Sequence, residues 1–572
     1  MRRRACVAAG VLWVGWAGAA AAQQTLTPIP CRGQRVDAVT VVSRSPSVAG
    51  VRGVPVVAKV AQTVHVTTQP DVIERFLLLK VGDRCSPLRV AESERVLRAQ
   101  PFLADASILV LRDGTDGVVL EVHTVDEVAA VFSATVKAKS PVFTGLRLGD
   151  GNWGGQGVFA VGSWWHEEAL RDGFSFRVTD YQFMGRPYQA TAQLARNPLG
   201  GEVHFSIQRP FLTDLQRVAW RVQDGEANDY VRFVDGNGGV HAERLAHRYA
   251  DIGGLARIGP PGRLALLGVS LSHEAERPGG VPVVLTDSGA ISDPGSLLAN
   301  RYPRHSVSRI NALLGYRNLK FVRAMGIDGL TNVQDVPVGI EMGALVGKSA
   351  AILGSHARDM LIGGDVYAGH ATPSSALRFQ ALGEIRRELD TQQWDGLLAS
   401  GRAADYQRIG QTHMLVTSAE WSGGWRVQVP FRVTLAGTDG GVRGMAEGME
   451  EGGRRLVTRV EDRWAIGTHW NGTADLGLAL FADAGWLWAG DVPYGTTTPV
   501  RYSAGVSLLA AVPSHSARMW RLDLAFPNVP GRGVRVALRI SHSDETLGFW
   551  REPKDVSVAR ERSVPRSLFN WP

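Results

Sequence analysis

The segment Leu476-Gly-Leu-Ala-Leu-Phe-Ala-Asp-Ala-Gly485 decides the fold, because its side chains alternate in character. One parity carries only leucine, at Leu476, Leu478 and Leu480. The other parity carries small residues, one aromatic residue and one acid: Gly477, Ala479, Phe481, Asp483 and Gly485. Because successive side chains of a β-strand point to opposite faces, the segment is predicted to be a strand with one purely apolar face.

The same alternation returns towards the C-terminus and extends backwards over most of the chain. In two late segments, apolar residues oppose residues that include charges: Leu522, Leu524 and Phe526 oppose Arg521, Asp523 and Ala525, and Val534, Val536, Leu538 and Ile540 oppose Arg535, Ala537, Arg539 and Ser541. From about residue 129 onward, short alternating segments are separated by clusters of Gly, Asp, Asn and Pro. This texture indicates many strands joined by turns.

Alternation alone fits either a soluble sandwich or an outer-membrane barrel, and the length of the region favours the barrel. In a barrel the apolar side faces lipid and the charged side faces a wet lumen. At about 9–11 residues per spanning strand plus turns, 14 to 18 strands would fit. The predicted fold is therefore mainly β: a transmembrane antiparallel β-barrel of roughly 16 strands over residues 128–545.

The composition agrees with a large barrel and excludes some partners. Glycine (66) and tryptophan (16) are abundant, and the net charge of +7 is too mild for this length to indicate nucleic acid. Seven tryptophans lie in or near strand ends, where an aromatic girdle would lie: Trp164, Trp165, Trp421, Trp425, Trp486, Trp488 and Trp520.

The N-terminus is predicted to be a secretory signal peptide, residues 1–22. Arg2-Arg3-Arg4 precedes an apolar run that ends at Ala20-Ala21-Ala22, and this run is shorter than the ~20 residues of a spanning helix. After cleavage the chain keeps Cys31 and Cys85. In an oxidising periplasm such a pair is expected to form one disulfide, although two free thiols remain possible.

Residues 23–127 are predicted to form a compact α/β unit in the order strand, helix, helix, strand, strand. A strand covers 35–43, Pro70-Asp71 begins a helix that Gly82 stops, and Ser86-Pro87 begins a second helix that runs to about Ala99. Strands at 106–111 and 118–125 follow.

This unit resembles a POTRA domain, the polypeptide-transport-associated module of the BamA-type outer-membrane assembly factor superfamily. The resemblance lies in Phe76-Leu-Leu-Leu-Lys-Val-Gly-Asp83, in Glu94-Arg-Val-Leu97 and in Gln100-Pro-Phe-Leu103. Gly82 and Asp83 correspond to the end of the first motif. Only one such domain is readable, whereas relatives often carry two to five.

The C-terminal region resembles the barrel signature of the same superfamily. Its motifs occur in order: Gly440-Gly-Val-Arg-Gly-Met445, Glu461-Asp-Arg463, Phe481-Ala-Asp-Ala-Gly485 and Arg521-Leu-Asp-Leu-Ala525. The resemblance implies that Val442, Arg443, Gly444 and Met445 belong to a loop that folds back into the lumen, with Met445 where an aromatic residue is more usual. Further signature positions are Phe481, Gly485 and Asp523, and the acidic wall positions that hold the arginine of the loop are Glu461 and Asp483.

Elementary physics supports this assignment of Arg443. By parity Asp483 points away from the leucines and into the lumen, where a confined carboxylate needs a cation. A contact near 4 Å provides about 4 kcal/mol of Coulomb energy at intermediate dielectric, before desolvation is subtracted. The hypothesis is that Arg443 pins a large inward loop through Asp483 and Glu461; the alternative is a hairpin tip with solvated charges.

Other motifs are incomplete, so neither an enzyme nor a cofactor or metal site is predicted. Gly343-Ala-Leu-Val-Gly-Lys-Ser349 has three residues where a P-loop needs four, and is interpreted as a hairpin. His166, His241 and His247 lack the HExxH spacing of zinc enzymes and are predicted to be polar loop residues. There is no Gly-x-Ser-x-Gly elbow to support a serine hydrolase.

The resemblance implies insertion or translocation of client proteins at the bacterial outer membrane. The POTRA domain would meet unfolded outer-membrane or exported clients in the periplasm, and accessory lipoproteins are possible partners besides the lipid bilayer. The first and last barrel strands would form a weak seam. A dedicated secretion pore for one exported partner, a passive porin and an outer-membrane hydrolase remain alternatives. The polar, Arg-rich tail 546–572 departs from the family, whose barrels end at a terminal aromatic residue.

Overall fold

A computed structural model describes most of the chain beyond the predicted signal peptide, which lies outside the described residues. The described residues are 28–46, 66–112, 116–136, 143–167, 171–197, 200–355, 357–446, 450–470, 472–529, 533–542 and 549–569, with Gly448 and Gly531 in addition. Among them, no helix is long and apolar enough to cross a membrane.

The N-terminal unit has the predicted order of elements. Its elements are β1 (Val36–Arg44), α1 (Pro70–Glu74), α2 (Pro87–Arg98), β2 (Leu103–Arg112) and β3 (Val118–Asp126). The sheet order is β1-β3-β2, with β1 parallel and β2 antiparallel to β3. Both helices pack on one face of this sheet over a core that includes Val72, Phe76, Leu97, Phe102 and Leu120.

The first helix of this unit is shorter than predicted. It ends at Glu74 and not near Gly82, because the chain turns at Arg75 and brings Phe76, Leu77 and Leu79 into the core without further helix. Cys31 and Cys85 are bonded, with their Cα atoms 5.5 Å apart. This bond joins the first described segment to the start of α2.

The rest of the chain is dominated by long strands. In chain order these strands are β4 (Ala130–Val136), β5 (Phe143–Asp150), β6 (Val158–Trp165), β7 (Gly173–Asp180), β8 (Gln189–Arg196), β9 (Gly201–Arg209), β10 (Val218–Val234), β11 (Val240–Ile258), β12 (Arg263–Pro278), β13 (Val283–Thr286), β14 (Gly289–Ser292), β15 (His305–Met325), β16 (Val333–Ser349), β17 (Asp359–Ala371), β18 (Ser375–Glu388), β19 (Trp394–Ile409), β20 (His413–Trp425), β21 (Val433–Thr434), β22 (Glu451–Gly452), β23 (Arg454–His469), β24 (Ala474–Trp488), β25 (Arg501–Ala511), β26 (Trp520–Val529), β27 (Gly533–Val534) and β28 (Ala537–His542).

These strands form one antiparallel sheet whose order closes into a barrel, with β28 beside β4. Two groups lie outside the main ring: β12 pairs directly with β15, so β13 and β14 form an added hairpin, and β21 pairs only with β22. Counting the described strands of six or more residues, the ring has twenty, more than the roughly 16 predicted. The prediction was low because many turns are short, such as 372–374 and 410–412.

The barrel strands present apolar side chains outward and polar side chains inward. On β12, Leu267, Val269 and Leu271 are 48%, 57% and 42% exposed, whereas Ser270 and Ser272 are buried. On β24, Leu480 is 63% exposed and Asp483 only 3%. The outer surface is thus apolar in the strand region, as a lipid-facing surface must be. The P-loop-like segment lies within β16 as ordinary strand, not at a hairpin turn.

The α/β unit contacts one end of the barrel, which is called the docked rim. This rim includes the turns 151–157, 181–188, 210–217, 326–332 and 512–519. Arg98 forms an ion pair of 2.6 Å with Asp335 near one of these turns. Gln182 donates a hydrogen bond of 2.6 Å to the carbonyl of Val72, and Asn152 donates one of 2.7 Å to the Thr68 hydroxyl. The other end of the barrel is called the opposite rim.

Two segments enter the barrel from its two ends. The inward loop, residues 426–453 between β20 and β23, enters from the opposite rim and contains β21 and β22. The C-terminal segment, residues 549–569, enters from the docked rim and contains a third helix, α3 (Lys554–Ser557). The two meet inside, where Val556 and Ala559 pack in one apolar cluster with Val433 and Leu435.

Candidate functional site: the inward loop and its arginine

The inward loop is held against the barrel wall by its own small core. Val433, Leu435, Val442 and Met445 are buried in the cluster that joins the loop to wall residues of β19, β23 and β24. The chain reaches this position through a turn in which Gly444 has φ +85, and a Cβ at this residue would lie 2.9 Å from Pro527. Gly444 therefore allows both the backbone turn and the close approach to β26.

Arg443 extends from this loop into two acidic groups of the wall. Its Nε and Nη2 donate to the two oxygens of Asp483 at 2.8 and 2.7 Å, and its backbone N–H donates to the same carboxylate at 3.0 Å. Its Nη1 donates to Glu461 at 2.6 Å. Both carboxylates are buried. The bidentate geometry uses the planar guanidinium in a way that lysine could not reproduce.

The wall beneath the arginine is shaped for the loop. The guanidinium carbon lies 3.6 Å from the ring centroid of Phe481, so cation–π attraction adds to the ion pairs. There is no room for a side chain at Gly485, because a Cβ there would lie 2.6 Å from the Cγ2 of Val442. Phe481 and Gly485, two of the predicted signature positions, thus contact the loop directly.

Glu461 is shared by three arginines, a feature that the sequence analysis missed. Besides Arg443, it accepts hydrogen bonds from Arg463 at 2.6 Å and from Arg521 at 2.8 Å. Asp523 accepts from the Ser507 hydroxyl at 2.6 Å and lies 3.5 Å from Arg521. The parity of the Arg521 segment could have revealed this contact, because Arg521 and Asp523 share the inward face.

A cavity of about 250 Å³ lies between the inward loop and this wall. Its lining is unusually rich in guanidinium groups: Arg402, Arg443, Arg459, Arg463, Arg521 and Arg539. Arg459 donates to Glu420 at 2.6 Å, and Arg539 donates to the carbonyl of Gly437 at 2.7 Å. These arginines therefore hold wall and loop together, besides surrounding a polar space.

Gly82 and Asp83 of the POTRA-like motif form a turn beside β1. Gly82 has φ +94, and its N–H donates to the carbonyl of Val36 at 2.8 Å. The carboxylate of Asp83 accepts from the N–H of Lys80 at 3.0 Å. These contacts give both residues a structural position at the start of the sheet.

The junction between the α/β unit and the barrel contains two acidic side chains whose pKa values are shifted in opposite directions. Burial raises the pKa of Glu92, but the hydrogen bond and the charge of Arg95 outweigh it and hold this pKa below its ordinary value. For Glu127, burial outweighs the charge of Arg518 and the hydrogen bond from Ser516 and raises the pKa. The docked arrangement thus stabilises the charged form of Glu92 and destabilises the charged form of Glu127.

The prediction that His241 and His247 are polar loop residues is wrong. Both lie on β11, and His247 is buried between Glu274 and Glu276, at 2.6 and 3.1 Å. A motif with helical spacing does not detect this group, because two residues of β12 flank a histidine on the neighbouring strand. These three residues are the one group within the described part of the chain that could hold a metal ion. His166 follows β6, in a loop, and contacts Asp172 at 2.8 Å.

Comparisons with known proteins give structural similarity without a family assignment. No family model and no curated protein match the chain. BamA from Haemophilus ducreyi lacking POTRA domains 1–3 is 12% identical with a TM-score of 0.35, covering 89% of this chain and 85% of that one. CdiB from Escherichia coli is 10% identical with a TM-score of 0.36, covering 92% and 91%. CdiB from Acinetobacter baumannii is 10% identical with a TM-score of 0.31, covering 89% and 73%.

Proposed function

We propose that this chain is an outer-membrane barrel with one periplasmic POTRA domain that inserts or translocates client proteins without bond chemistry. The observation that carries the proposal is the lumen itself, which is occupied by a loop that Arg443 holds against Asp483 and Glu461. An apolar outer surface favours a bilayer as its surroundings. A passive porin needs an open lumen, so the occupied interior argues against that alternative.

In this proposal the α/β unit receives the client before it reaches the barrel. Among the described residues, β1 has a strand neighbour on one side only, where it pairs with β3. An extended client segment could add to such an edge through backbone hydrogen bonds, with little demand on its sequence. The ion pair of Arg98 with Asp335 keeps this unit at the mouth of the barrel.

The alternative within the same class is a dedicated secretion pore for one exported partner. The number of clients distinguishes the two functions. Depletion of this protein, followed by quantitative proteomics of the isolated outer membrane, measures that number. Broad loss of β-barrels would identify a general assembly factor, and loss of one exported protein would identify a dedicated pore.

The depletion experiment needs complementation as a control. A plasmid copy of the natural chain, or of Arg358→Ala in the exposed Arg358–Asp390 pair, should restore every lost protein. An unchanged outer-membrane proteome, together with altered uptake of small solutes, would overturn the proposal and leave a porin.

A further inference from the structure

The C-terminal segment is buried inside the barrel along most of its length. The following residues of the segment are buried: Phe549, Glu552, Val556, Ala559, Arg560, Glu561, Ser563, Val564, Leu568 and Phe569. Their wall partners lie on the inner face of strands between β10 and β23, so the segment packs against this part of the wall. From the sequence alone, this region is predicted only to be a polar, Arg-rich tail.

The charges of the segment are matched by charges of the wall. Glu561 lies 3.3 Å from Arg309 and forms a second ion pair with Arg386, and the side chains of Glu561 and Arg309 are fully buried. Arg560 lies 3.4 Å from Glu384. Near the tip, Asp555 accepts hydrogen bonds from Arg455 at 2.7 Å. A buried charge is costly unless it is paired, so these wall residues require an occupant of matching charge.

The wall also has an apolar surface that a water-filled lumen would not need. Val564, Leu568 and Phe569 pack in one cluster with inward-facing wall residues, which include Leu266, Leu313, Leu345 and Leu361. Without the segment these leucines would face water, whereas the interior of a channel-forming barrel is polar. Charge matching and apolar cover together indicate a site built to hold a polypeptide segment.

The way in which the segment is held allows it to leave. None of its described residues belongs to a β-strand, so its withdrawal breaks no hydrogen bond of the barrel ladder. Its two ends, at Phe549 and Phe569, line the same cavity of about 310 Å³ beside the docked rim, and α3 forms the far tip. Withdrawal as a single hairpin would take the segment through the docked end, past Arg95 and Arg98 of the α/β unit, which line the same cavity.

We propose that residues 549–569 are a displaceable plug, and that the wall beneath them is a binding site for an extended polypeptide segment. The site accepts paired acidic and arginine side chains in the centre and aromatic side chains at the docked rim. Resting on the proposed function, we further assign the displacing ligand to a client segment of similar chemistry. The plug keeps the lumen closed until a client replaces it.

Electrical recording tests the plug without any client. Purified full-length protein and a variant that lacks residues 549–572 are inserted into planar lipid bilayers. The full-length protein should stay closed, and the shortened variant should show steady single-channel conductance. A synthetic peptide of residues 549–572 should then close the open variant from solution, whereas a scrambled peptide of the same composition should not.

Each possible result decides the question. A shortened protein that is folded, as judged by its heat-dependent shift on a gel, and yet remains closed would overturn the plug. An open variant that the natural peptide does not close would overturn the binding site. If the shortened variant does not fold, the full-length double variant Leu568→Ala/Phe569→Ala is recorded in its place. Frequent channel openings would support the plug. A channel that stays closed as often as that of Arg358→Ala would overturn it.

The recording also separates this inference from the proposed function. The planar bilayer contains no client. A shortened barrel that stays closed would therefore overturn the plug proposal, and the depletion experiment would still test the proposed function. An unchanged outer-membrane proteome after depletion would overturn the proposed function. Closure of the shortened variant by the peptide would still support the plug.

Discussion

The inward loop and the C-terminal segment enter the same lumen from opposite ends, and they differ in the charge of their most buried contact with the wall, although Arg560 of the segment also lies 3.4 Å from the wall residue Glu384. The inward loop provides an arginine and the wall provides the acids, because Arg443 contacts Asp483 and Glu461. The C-terminal segment provides an acid at its centre and the wall provides the arginines, because Glu561 contacts Arg309 and Arg386. The wall therefore carries both signs, each placed where one insert needs it.

The two inserts also differ in their connection to the barrel. The loop is anchored at both ends, because β20 precedes it and β23 follows it in the same sheet. The segment lies outside the sheet, because none of the residues 549–569 belongs to a strand. Loss of a charge in the loop should therefore disturb the barrel, and loss of a charge in the segment should release the segment.

The largest effect is expected for Arg443→Ala. It leaves two buried carboxylates without this partner, and removing one member of a buried ion pair typically costs about 3–5 kcal/mol. The free energy of unfolding, measured by urea titration in lipid vesicles, should fall by about this amount. Arg443→Lys should recover only part, because an ammonium cannot bind Asp483 in the bidentate manner.

The matched control for this change is Arg358→Ala. Arg358 and Asp390 form an exposed pair near the opposite rim, and such pairs contribute about 0–1 kcal/mol. Equal stability of the Arg443→Ala and Arg358→Ala variants would mean that the inward loop is not pinned by its arginine.

A smaller effect is expected for Gly485→Ala, which tests the shape of the wall and leaves its charge unchanged. The added Cβ would lie 2.6 Å from Val442, so either the loop or β24 must shift. Overpacking of this kind costs about 1–3 kcal/mol. Gly383→Ala on β18 is the control, because a Cβ there meets nothing within 4 Å. Loss of stability in both variants alike would show that strand glycines, and not this contact, determine the effect.

The loop and its acidic partners were predicted from a resemblance, and strand parity, which is readable without a structure, supported that prediction. Alternation around Leu480 assigns Asp483 to the inner face, and the motif around Arg443 supplies the cation. His247 and Glu274 were missed because their contact crosses two strands, and cross-strand pairing depends on register. Residues 549–569 show no strand periodicity, so the sequence predicts only a polar, Arg-rich tail and not its contacts with the wall.

The smallest change in barrel stability is expected for Glu561→Gln, and this result would complete the comparison. The substitution removes a buried charge, yet the segment can leave the lumen without breaking the strand ladder. Unfolding of the barrel should therefore match that of Arg358→Ala, while the undocked fraction of the segment rises. A loss of about 3 kcal/mol in docking corresponds to roughly a hundredfold in that fraction.

Limited proteolysis measures the release that Glu561→Gln should cause. A protease that cleaves after arginine should remove the end of the chain faster in this variant, because Arg560 and Arg562 become accessible. In Arg443→Ala the same sites should stay protected at temperatures where the barrel is folded, because the segment keeps its own wall partners. If Glu561→Gln instead unfolded the barrel as Arg443→Ala does, the segment would be a fixed part of the wall and not a displaceable plug.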